Sequence, residues 1–335
     1  MKYIIGVDGG GTRTRALLAD AAGTVLGMGF DKASNCQTVG LENACRAITN
    51  AVAEAVNQAK TRCFVTDADL NRGLVAVLGL AGADRPSDKN QLAKSLTVLF
   101  PFTVTKLVIK NDAQIALAGA VANKPGVVLI AGTGSIAFGK DGSGHEARSG
   151  GWGPILGDEG SGYAIGTAAL RAVLMYYDGR GRRTSLTREL LSKFNIKHPE
   201  AFVPLVYQGP LQRSEIAALA GLVLEEADSG DKVSQTIVRT AAAQLVELVS
   251  AVIRRLEWDE HSIPVAGSGG LLQPGNFLWK QISQLLGGLH PSTNFVNPLL
   301  SPVQGGVLLG WEYLDNSLEG QSLASFISNL TTGPI

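Results

Sequence analysis

Short apolar runs bounded by turn residues open the chain, and they alternate with segments of helical periodicity further on. Five runs have the length of β-strands: residues 3–7, 16–19, 25–30, 75–80 and 104–109. Between 41 and 60, and again after 87 and after 113, apolar residues recur at the spacing of an amphipathic helix. Three consecutive strands followed by alternating helices and strands predict a mixed sheet with helices packed on it.

A similar pattern restarts after the Lys-Pro-Gly break at 124–126. An apolar strand at 127–131 and a return strand at 136–139 enclose a Gly-Thr-Gly-Ser turn, and most of the remaining chain has helical periodicity, clearest between 231 and 257. A strand at 263–266 interrupts the helices. We therefore predict an α/β protein of two domains, with the boundaries 1–115 and 116–314 and a C-terminal tail, 315–335, that can pack back on the first domain.

Composition narrows the function classes. The 335 residues include 29 basic and 29 acidic side chains without a basic tract, so we expect neither a nucleic-acid nor a membrane partner. The longest stretch without charge, 281–311, contains proline, glycine and polar residues, which is untypical of a membrane span. Three cysteines without CxxC spacing and a start too short for a signal peptide predict a cytoplasmic protein.

The first hairpin turn has the composition of a phosphate-binding turn. Asp8 ends a strand and is followed by three glycines and Thr12; glycines expose backbone N–H groups and let an anion approach closely. Thr12 and Thr14 add hydroxyl donors, and Asp8 is placed to face Mg²⁺ directly or through water. The alternative is a plain glycine-rich hairpin turn.

The second hairpin turn, 132–135, repeats this chemistry with Gly-Thr-Gly-Ser. We interpret the two hairpins as a weak internal repeat whose turns would hold one polyphosphate, the alternative being coincidence between two glycine-rich turns. A GxxxxGK[ST] P-loop is absent from the sequence, so N–H and hydroxyl groups would have to bind the phosphates without its lysine.

Asp112 is the strongest candidate for acid–base chemistry. It follows the strand at 104–109, where open α/β sheets place their ligands. A carboxylate there can accept the proton of a hydroxyl group that attacks phosphorus. The alternative role is an N-cap for the helix that begins near Ala113.

Four further features are candidates for ligand contacts. Trp152, flanked by glycines, is either a platform for a sugar ring or a core residue. Asp158, in the same glycine-rich loop, binds sugar hydroxyls or magnesium, or is a turn aspartate. Asn35 is a loop residue that binds a ligand or closes a turn. The 267–270 Gly-Ser-Gly-Gly segment accommodates an adenosine or is a tight strand-to-helix turn.

These motifs occur together in the order of a known superfamily. From residue 4 to about 311 the chain resembles the actin-like/hexokinase/Hsp70 ATPase superfamily. More closely, it resembles the BadF/BadG/BcrA/BcrD-type ATPase family, in the branch that contains N-acetylglucosamine kinase. The resemblance implies two ribonuclease-H-like, actin-like ATPase domains with mixed sheets around an interdomain cleft. It also implies ATP and Mg²⁺ as cofactors.

The resemblance assigns a role to each candidate residue. Asp112 would be the catalytic base that acts on the 6-hydroxyl of a sugar, and Asp8 would face the metal. The positions that match contacts to an amino sugar are Asn35, Asp112, Gly151, Trp152 and Asp158. The nucleotide-binding residues expected from the turns and the resemblance together are Gly10, Gly11, Thr12, Thr14, Gly132, Thr133, Gly134, Ser135, Gly267 and Gly269.

The function implied is transfer of phosphate from ATP to the 6-hydroxyl of N-acetylglucosamine, with glucosamine and N-acetylmuramic acid as alternative acceptors. The partner would be a small-molecule sugar, and the oligomeric state, a homodimer included, stays open. From another class, the family contains ATPase activators of radical-type enzymes, whose cysteines hold an iron–sulfur cluster. The cysteines here, Cys36, Cys45 and Cys63, do not match the cluster positions. A sugar-sensing regulator is a weaker alternative.

Overall fold

The first compact unit contains a five-stranded mixed sheet. The computed structural model describes residues 2–209, 211–258, 262–314 and 322–332, and unit 1 comprises residues 1–124 and 297–335. Its strands are β1 (Tyr3–Gly9), β2 (Arg13–Asp20), β3 (Val25–Lys32), β4 (Leu74–Leu80) and β5 (Val104–Lys110). They lie in the order β3-β2-β1-β4-β5, with β1, β4 and β5 parallel and β2 antiparallel to both of its neighbours.

Helices cover both faces of this sheet because apolar side chains project from both. They are α1 (Cys36–Val39), α2 (Leu41–Cys63), α3 (Asp67–Leu70), α4 (Pro86–Leu99), α5 (Asp112–Ala120), α12 (Pro302–Glu312) and α13 (Leu323–Thr332). One core packs α2 and α4 against the sheet. The other core joins α5, α12 and α13 to the opposite face, where Phe326 and Leu330 are fully buried.

The second unit, residues 125–296, contains a sheet of the same topology. Its strands are β6 (Gly126–Ala131), β7 (Ser135–Lys140), β8 (Glu146–Gly150), β9 (Ile263–Ser268) and β10 (Thr293–Val296). The order β10-β9-β6-β7-β8 reproduces that of unit 1, with β6 in the place of β1. The internal repeat predicted from the two hairpins is therefore confirmed at the level of sheet topology, and so is the α/β class with two mixed sheets.

Unit 2 carries more helix than unit 1 around its sheet. Its helices are α6 (Gly162–Tyr177), α7 (Leu186–Lys193), a 3-10 turn (Pro199–Ala201), α8 (Phe202–Tyr207), α9 (Arg213–Asp228), α10 (Lys232–Arg255) and α11 (Phe277–Leu289). Of the helices that the structure describes, α10 alone is long and apolar enough to cross a bilayer, and its apolar side chains lie in the core of this unit. Burial in a core explains its composition.

The division of the chain differs from the predicted boundaries of 115/116 and 314/315. The segment 116–124 and helix α12 belong to unit 1. Close contacts explain the position of α12: the α-carbon of Gly305 faces the backbone carbonyl of Ile115 on α5, and Gly6 of β1 faces the carbonyl of Val303, so a Cβ at either glycine would clash. The tail also contacts unit 1, because the Gln304 amide of α12 donates to the Leu330 carbonyl at 2.7 Å. Residues 315–321 and 333–335 lie outside the described chain.

Candidate active site

Three parallel strands of unit 1 bring acidic residues to one edge of the sheet. Gly79 of β4 pairs in register with Asp8 of β1 and with Lys110 of β5, and the Ala81 N–H donates to the Gly9 carbonyl at 2.8 Å. The carboxyl ends of parallel strands meet at the same edge, and this is where such sheets bind ligands. Asp8, the loop that carries Asp84, and Asp112 therefore share one polar edge.

Asp112 is the first residue of α5, and Asn111 is the N-cap. The Asn111 Oδ1 accepts the Ala113 N–H at 2.8 Å, and its backbone is in the extended conformation of a cap. The alternative interpretation of Asp112 as the N-cap is therefore wrong. Its own Oδ1 also accepts the Ala113 N–H, at 2.9 Å, which fixes the direction of the carboxyl group.

Burial and neighbouring negative charges raise the pKa of Asp112 to about 7. Desolvation is the largest cause, the carboxylate of Asp8 adds to it, and Asp84 contributes further, whereas the Ala113 N–H acts in the opposite direction. A carboxyl group that titrates near neutral pH is suited to accept a proton from a hydroxyl group.

Asp84 is a residue of this edge that was not predicted from the sequence. The Asn111 Nδ2 donates to Asp84 Oδ1 at 2.7 Å, and the Asn111 side chain is buried, so its amide ties the two loops together. The signal that could have identified Asp84 is its position shortly after β4, which corresponds to the position of Asp112 after β5 and of Asp8 on β1.

The first hairpin turn exposes part of the predicted phosphate-binding segment. The Gly10 N–H donates to the Arg13 carbonyl at 3.0 Å and closes the turn, which leaves Gly11 and Thr12 at the exposed tip. A Cβ at Gly11 would meet open space. Burial raises the pKa of Asp8, while Arg15 and Arg13 lower it.

Thr14, predicted to bind the nucleotide, lies inside unit 1. Its side chain is fully buried, its hydroxyl donates to the Lys32 carbonyl at 2.6 Å, and it lies 2.8 Å from the Ser34 hydroxyl. In an antiparallel strand successive side chains point to opposite faces, and Thr14 points inward. Its hydroxyl is thus used within unit 1, and the predicted contact with a nucleotide stays a prediction.

Asn35 lies against the loop that carries Asp84. Its Oδ1 caps the short helix α1 by accepting the Gln37 N–H at 3.0 Å. It also occupies the space into which a Cβ at Gly82 would project. Asn35 therefore has the capping role that a turn asparagine commonly has. It contacts Gly82, which lies two residues before Asp84 in the chain.

Magnesium binding would rest on few protein ligands. Among the described residues, His, Cys, Asp and Glu side chains form no group of three that could hold a metal ion. Asp8 offers carboxylate oxygens to a hard cation, and Mg²⁺ in kinases is typically bound by one or two carboxylates with substrate phosphates and water. The donors at this edge therefore fit Mg²⁺ that arrives with a nucleotide.

In unit 2, the second hairpin turn lies beside the turn predicted to hold adenosine. Strands β6 and β9 are parallel neighbours, and the Leu271 N–H donates to the Ala131 carbonyl at 3.2 Å. Gly269 has φ +97° and its α-carbon faces the same carbonyl, so a Cβ there would clash. A Cβ at Gly267 would lie 2.6 Å from the Trp279 ring. The structure thus brings together Gly132, Thr133 and Gly134 with Gly267 and Gly269.

Ser135, also predicted to bind the nucleotide, is hydrogen-bonded within the protein. It is 3% exposed, its hydroxyl donates to the Glu159 carbonyl at 2.7 Å, and its N–H points to Asp158 Oδ1 at 3.4 Å. Both of its donors are therefore engaged within the protein. Ser135 connects the turn to the following glycine-rich loop, and its direct contact with phosphate stays a prediction.

Asp158 is buried and ion-paired. It is 4% exposed with φ +59°, and its Oδ2 accepts from the Arg213 guanidinium. Burial raises the pKa of Asp158, while Arg213 and the N–H groups of Ser135 and Gly153 lower it. The Asp158 carboxylate is thus engaged within the protein, and its predicted contact with a sugar stays a prediction. Arg213, which lies 55 residues further along the chain, was not predicted from the sequence.

Trp152 is on the surface. Its side chain is 65% exposed, so the alternative of a core tryptophan is wrong. The Arg148 guanidinium lies 4.4 Å from the ring centroid and donates to the Gly151 carbonyl at 3.1 Å. The Gly151 N–H donates to the Ser135 carbonyl at 2.8 Å, and Gly151 has φ +71°. The loop therefore presents an exposed aromatic face directly beside the second hairpin.

A family model matches residues 5–310, which include both hairpins, Asp112 and the glycine-rich loop. The chain belongs to the BadF/BadG/BcrA/BcrD ATPase family. The resemblance inferred from the motifs is thereby confirmed. Membership of an ATPase family supports ATP as the nucleotide that this protein uses.

Two characterised kinases are similar to this chain over most of their length. An N-acetyl-D-glucosamine kinase of Dictyostelium discoideum is 36% identical over 313 residues, which cover 92% of this chain and 97% of the relative. An N-acetylmuramic acid/N-acetylglucosamine kinase of Clostridium acetobutylicum is 32% identical over 309 residues, which cover 92% of this chain and 98% of the relative.

A solved structure has the same fold. A Chromobacterium violaceum protein, provisionally assigned as an N-acetylglucosamine kinase, superposes with a TM-score of 0.74 at 29% identity and covers 93% of this chain and 99% of its own. A ROK family glucokinase from Streptomyces griseus has a TM-score of 0.51 at 19% identity, covers 92% of this chain and 98% of its own, and indicates a shared fold. The actin-like ATPase fold expected for this ATPase family is thus confirmed.

Proposed function

We propose that this protein is an ATP-dependent kinase that phosphorylates the 6-hydroxyl of an amino sugar, most specifically N-acetylglucosamine. The observation that carries the proposal is Asp112, a carboxyl group with a pKa near 7 at the carboxyl edge of a parallel sheet. Similarity to kinases for N-acetylglucosamine and N-acetylmuramic acid over nine-tenths of the chain supports the choice of acceptor.

In the proposed reaction Asp112 accepts the proton of the 6-hydroxyl as the oxygen attacks the γ-phosphorus of ATP. The bond between that phosphorus and the β–γ bridging oxygen breaks, and ADP leaves with the bridging oxygen. The products are ADP and the sugar 6-phosphate, and the proton passes from Asp112 to solvent. Phosphoryl transfer is accelerated chiefly by positioning and by charge stabilisation.

Backbone and hydroxyl groups would bind the nucleotide. In unit 1 the exposed tip of the first turn supplies Gly11 and Thr12, and Asp8 would hold Mg²⁺, which neutralises phosphate charge when bound. In unit 2 the segment 132–134 would bind phosphate, while the turn at Gly269 leaves backbone open to an adenosine. Glycines at these positions permit the close approach that phosphate binding requires.

The exposed ring of Trp152 would contact the sugar, whose C–H faces pack well on aromatic rings. Asn35, beside the Asp84 loop, would bind a sugar hydroxyl from unit 1, with its amide donors directed to the ligand while Oδ1 caps α1. In line with a small-molecule acceptor and a balanced charge, we propose a cytoplasmic enzyme without a nucleic-acid or membrane partner.

A coupled ADP-release assay with purified protein tests this function. N-acetylglucosamine, glucosamine, N-acetylmuramic acid and glucose are compared, with and without Mg²⁺, and phosphate on the 6-oxygen is located by NMR. Asp112→Asn is expected to abolish transfer and to leave ATP binding nearly intact, because the amide cannot accept the proton. The matched control is Asp67→Asn, an exposed aspartate of unit 1, which is expected to retain full turnover.

Two outcomes would overturn the proposal. Turnover of the Asp112→Asn variant at the wild-type rate would remove the general base from the mechanism. Absence of ADP release with every one of the four sugars would remove the kinase function. ATP hydrolysis without sugar, by a brown and oxygen-sensitive protein, would instead indicate the activator class.

A further inference from the structure

A partly buried ion pair connects three segments of unit 2 at the second hairpin. The Arg213 guanidinium pairs with Asp158 Oδ2, and the two side chains are 29% and 5% exposed. Arg213 is the first residue of α9, whereas Asp158 belongs to the glycine-rich loop that precedes α6. The pair therefore ties α9 to this loop across 55 residues of chain.

The Asp158 carboxylate also contacts the hairpin turn itself. Its Oδ1 receives the Ser135 N–H at 3.4 Å, and its two oxygens lie 2.9 and 3.0 Å from where a Cβ of Gly134 would be. The Gly153 N–H, next to Trp152, is a third donor to this carboxylate. One carboxyl group thus contacts both the turn proposed to bind phosphate and the loop proposed to bind the sugar.

We propose that Arg213 is a positioning residue that holds Asp158 in place, so that the 132–135 turn and the 151–157 loop keep their ligand-binding conformations. Asp158 adopts a left-handed backbone conformation, which is uncommon for residues other than glycine, asparagine and aspartate. Without its cationic partner, a carboxylate buried to this degree would either take up a proton or move toward solvent. Either change alters the hydrogen bonds to Ser135 and Gly153.

The guanidinium group is adapted to this position in a way that a lysine ammonium is not. Arg213 lies 5.9 Å from the ring centroid of Tyr163 in α6, and α6 begins at Gly162, whose N–H donates to the Gly132 carbonyl at 2.8 Å. A planar guanidinium can stack on a ring and pair with a carboxylate at the same time. The Arg213 Nε is buried without a hydrogen-bond partner, so the pairing with Asp158 depends on the terminal nitrogens.

The experiment compares four variants of the full-length protein: Arg213→Gln, Arg213→Lys, the double variant Arg213→Gln/Asp158→Asn, and the control Arg188→Gln. Arg188 is 82% exposed on α7 of the same unit. For each variant, affinity for a non-hydrolysable ATP analogue is measured by calorimetry without sugar. KM and kcat are then measured for ATP and N-acetylglucosamine, and the melting temperature is recorded.

Arg213→Gln is expected to weaken binding of the ATP analogue and to raise the KM for the sugar, each on the order of tenfold, because displaced contact groups bind less well. Arg213→Lys is expected to recover part of this loss. The double variant removes the unpaired charge but keeps an acceptor for Ser135, so it is expected to bind better than Arg213→Gln. Arg188→Gln is expected to match the wild type.

A merely structural ion pair would lower the melting temperature of Arg213→Gln and leave both KM values and the ATP affinity within twofold of the wild type. That result would overturn the proposal, as would a double variant that binds worse than Arg213→Gln. The expected change in the KM for the sugar rests on the proposed function. If the wild type phosphorylates no sugar, the proposed function fails, while the ATP-analogue affinities still test Arg213.

Discussion

Replacing Asp112 with asparagine is expected to stabilise the folded protein at alkaline pH while it abolishes the proposed phosphoryl transfer. Asparagine keeps the shape of the side chain and an oxygen that can accept the Ala113 N–H, which Asp112 Oδ1 receives at 2.9 Å. It removes the negative charge that burial, Asp8 and Asp84 disfavour. The gain in stability would therefore arise from relief of desolvation and repulsion.

The magnitude follows from the two pKa values of Asp112. A pKa of about 7 in the folded protein against 3.8 in an unfolded chain corresponds to about 4 kcal/mol at pH values above both, at 1.36 kcal/mol per unit. Asp112 is mostly buried but keeps some contact with solvent, and screening through that contact reduces the expected difference to about 2 kcal/mol. Below pH 3.8 both states are protonated, so the charge contributes nothing. The loss of stability caused by the Asp112 charge grows as the pH rises from 3.8 to about 7 and is constant above that.

Urea denaturation of the wild type and Asp112→Asn at pH 4, 6 and 8 measures this difference. The free energy of unfolding of the variant should exceed that of the wild type by a margin that increases with pH. A margin that is constant between pH 4 and 8, or one that decreases, would refute the explanation by a raised pKa. Asp231→Asn is the control, because the pKa of Asp231 is lowered in the folded protein and its replacement should therefore decrease the stability.

Burial alone would raise the pKa of Asp231, but hydrogen bonds from Ser234, Thr184 and Ser185 hold it below its usual value. The stability that Asp231 contributes is therefore present above its unfolded pKa and is lost as the pH falls through the lower folded value. Asp231→Asn should be less stable than the wild type at pH 8, by about 1 kcal/mol for the loss of the α10 N-cap charge. The deficit should decrease toward acid pH.

Three further predictions concern Asp84, the turn at Gly269 and a core of unit 1. Asp84→Asn removes a charge that raises the pKa of Asp112, so the acid limb of the profile of kcat/KM against pH should move to lower pH; an unchanged profile would contradict this coupling. Gly269→Ala places a Cβ against the Ala131 carbonyl at a positive φ, which should destabilise unit 2 by about 3 kcal/mol, as measured by calorimetry. A melting temperature equal to that of the wild type would show that the turn can relax. Phe326→Ala should cost about 3 to 5 kcal/mol in denaturation, and a loss below about 1 kcal/mol would mean that α13 contributes little to unit 1.

Local periodicity was sufficient to predict most elements of the fold. The helix expected at 41–60 spans Leu41–Cys63, and the one expected at 231–257 spans Lys232–Arg255. Both have apolar stripes that only a helix brings to one face. The similarity of the two hairpins also anticipated that the sheets share a topology, since a strand–turn–strand unit of the same composition starts each sheet.

The roles of individual side chains were less predictable. Thr14 and Ser135 have the right chemistry for phosphate, but both lie with their hydroxyl groups bonded inside the protein. Which face of a strand is buried depends on the helices that pack on it, and these are distant in sequence. The same holds for Asp158, whose partner Arg213 lies on a helix that no local pattern connects with the loop.

The order of apolar and polar residues therefore sufficed for the α/β class, the repeated hairpins and the acidic residues at strand ends, because each depends on neighbours within a few positions. Tertiary packing was needed for the pKa of Asp112, since its causes are burial together with Asp8 and Asp84 from two other segments. It was also needed for the assignment of α12 to unit 1. Electrostatic and steric effects of this kind depend on distances in space, which residues far apart in sequence reach only in the folded chain.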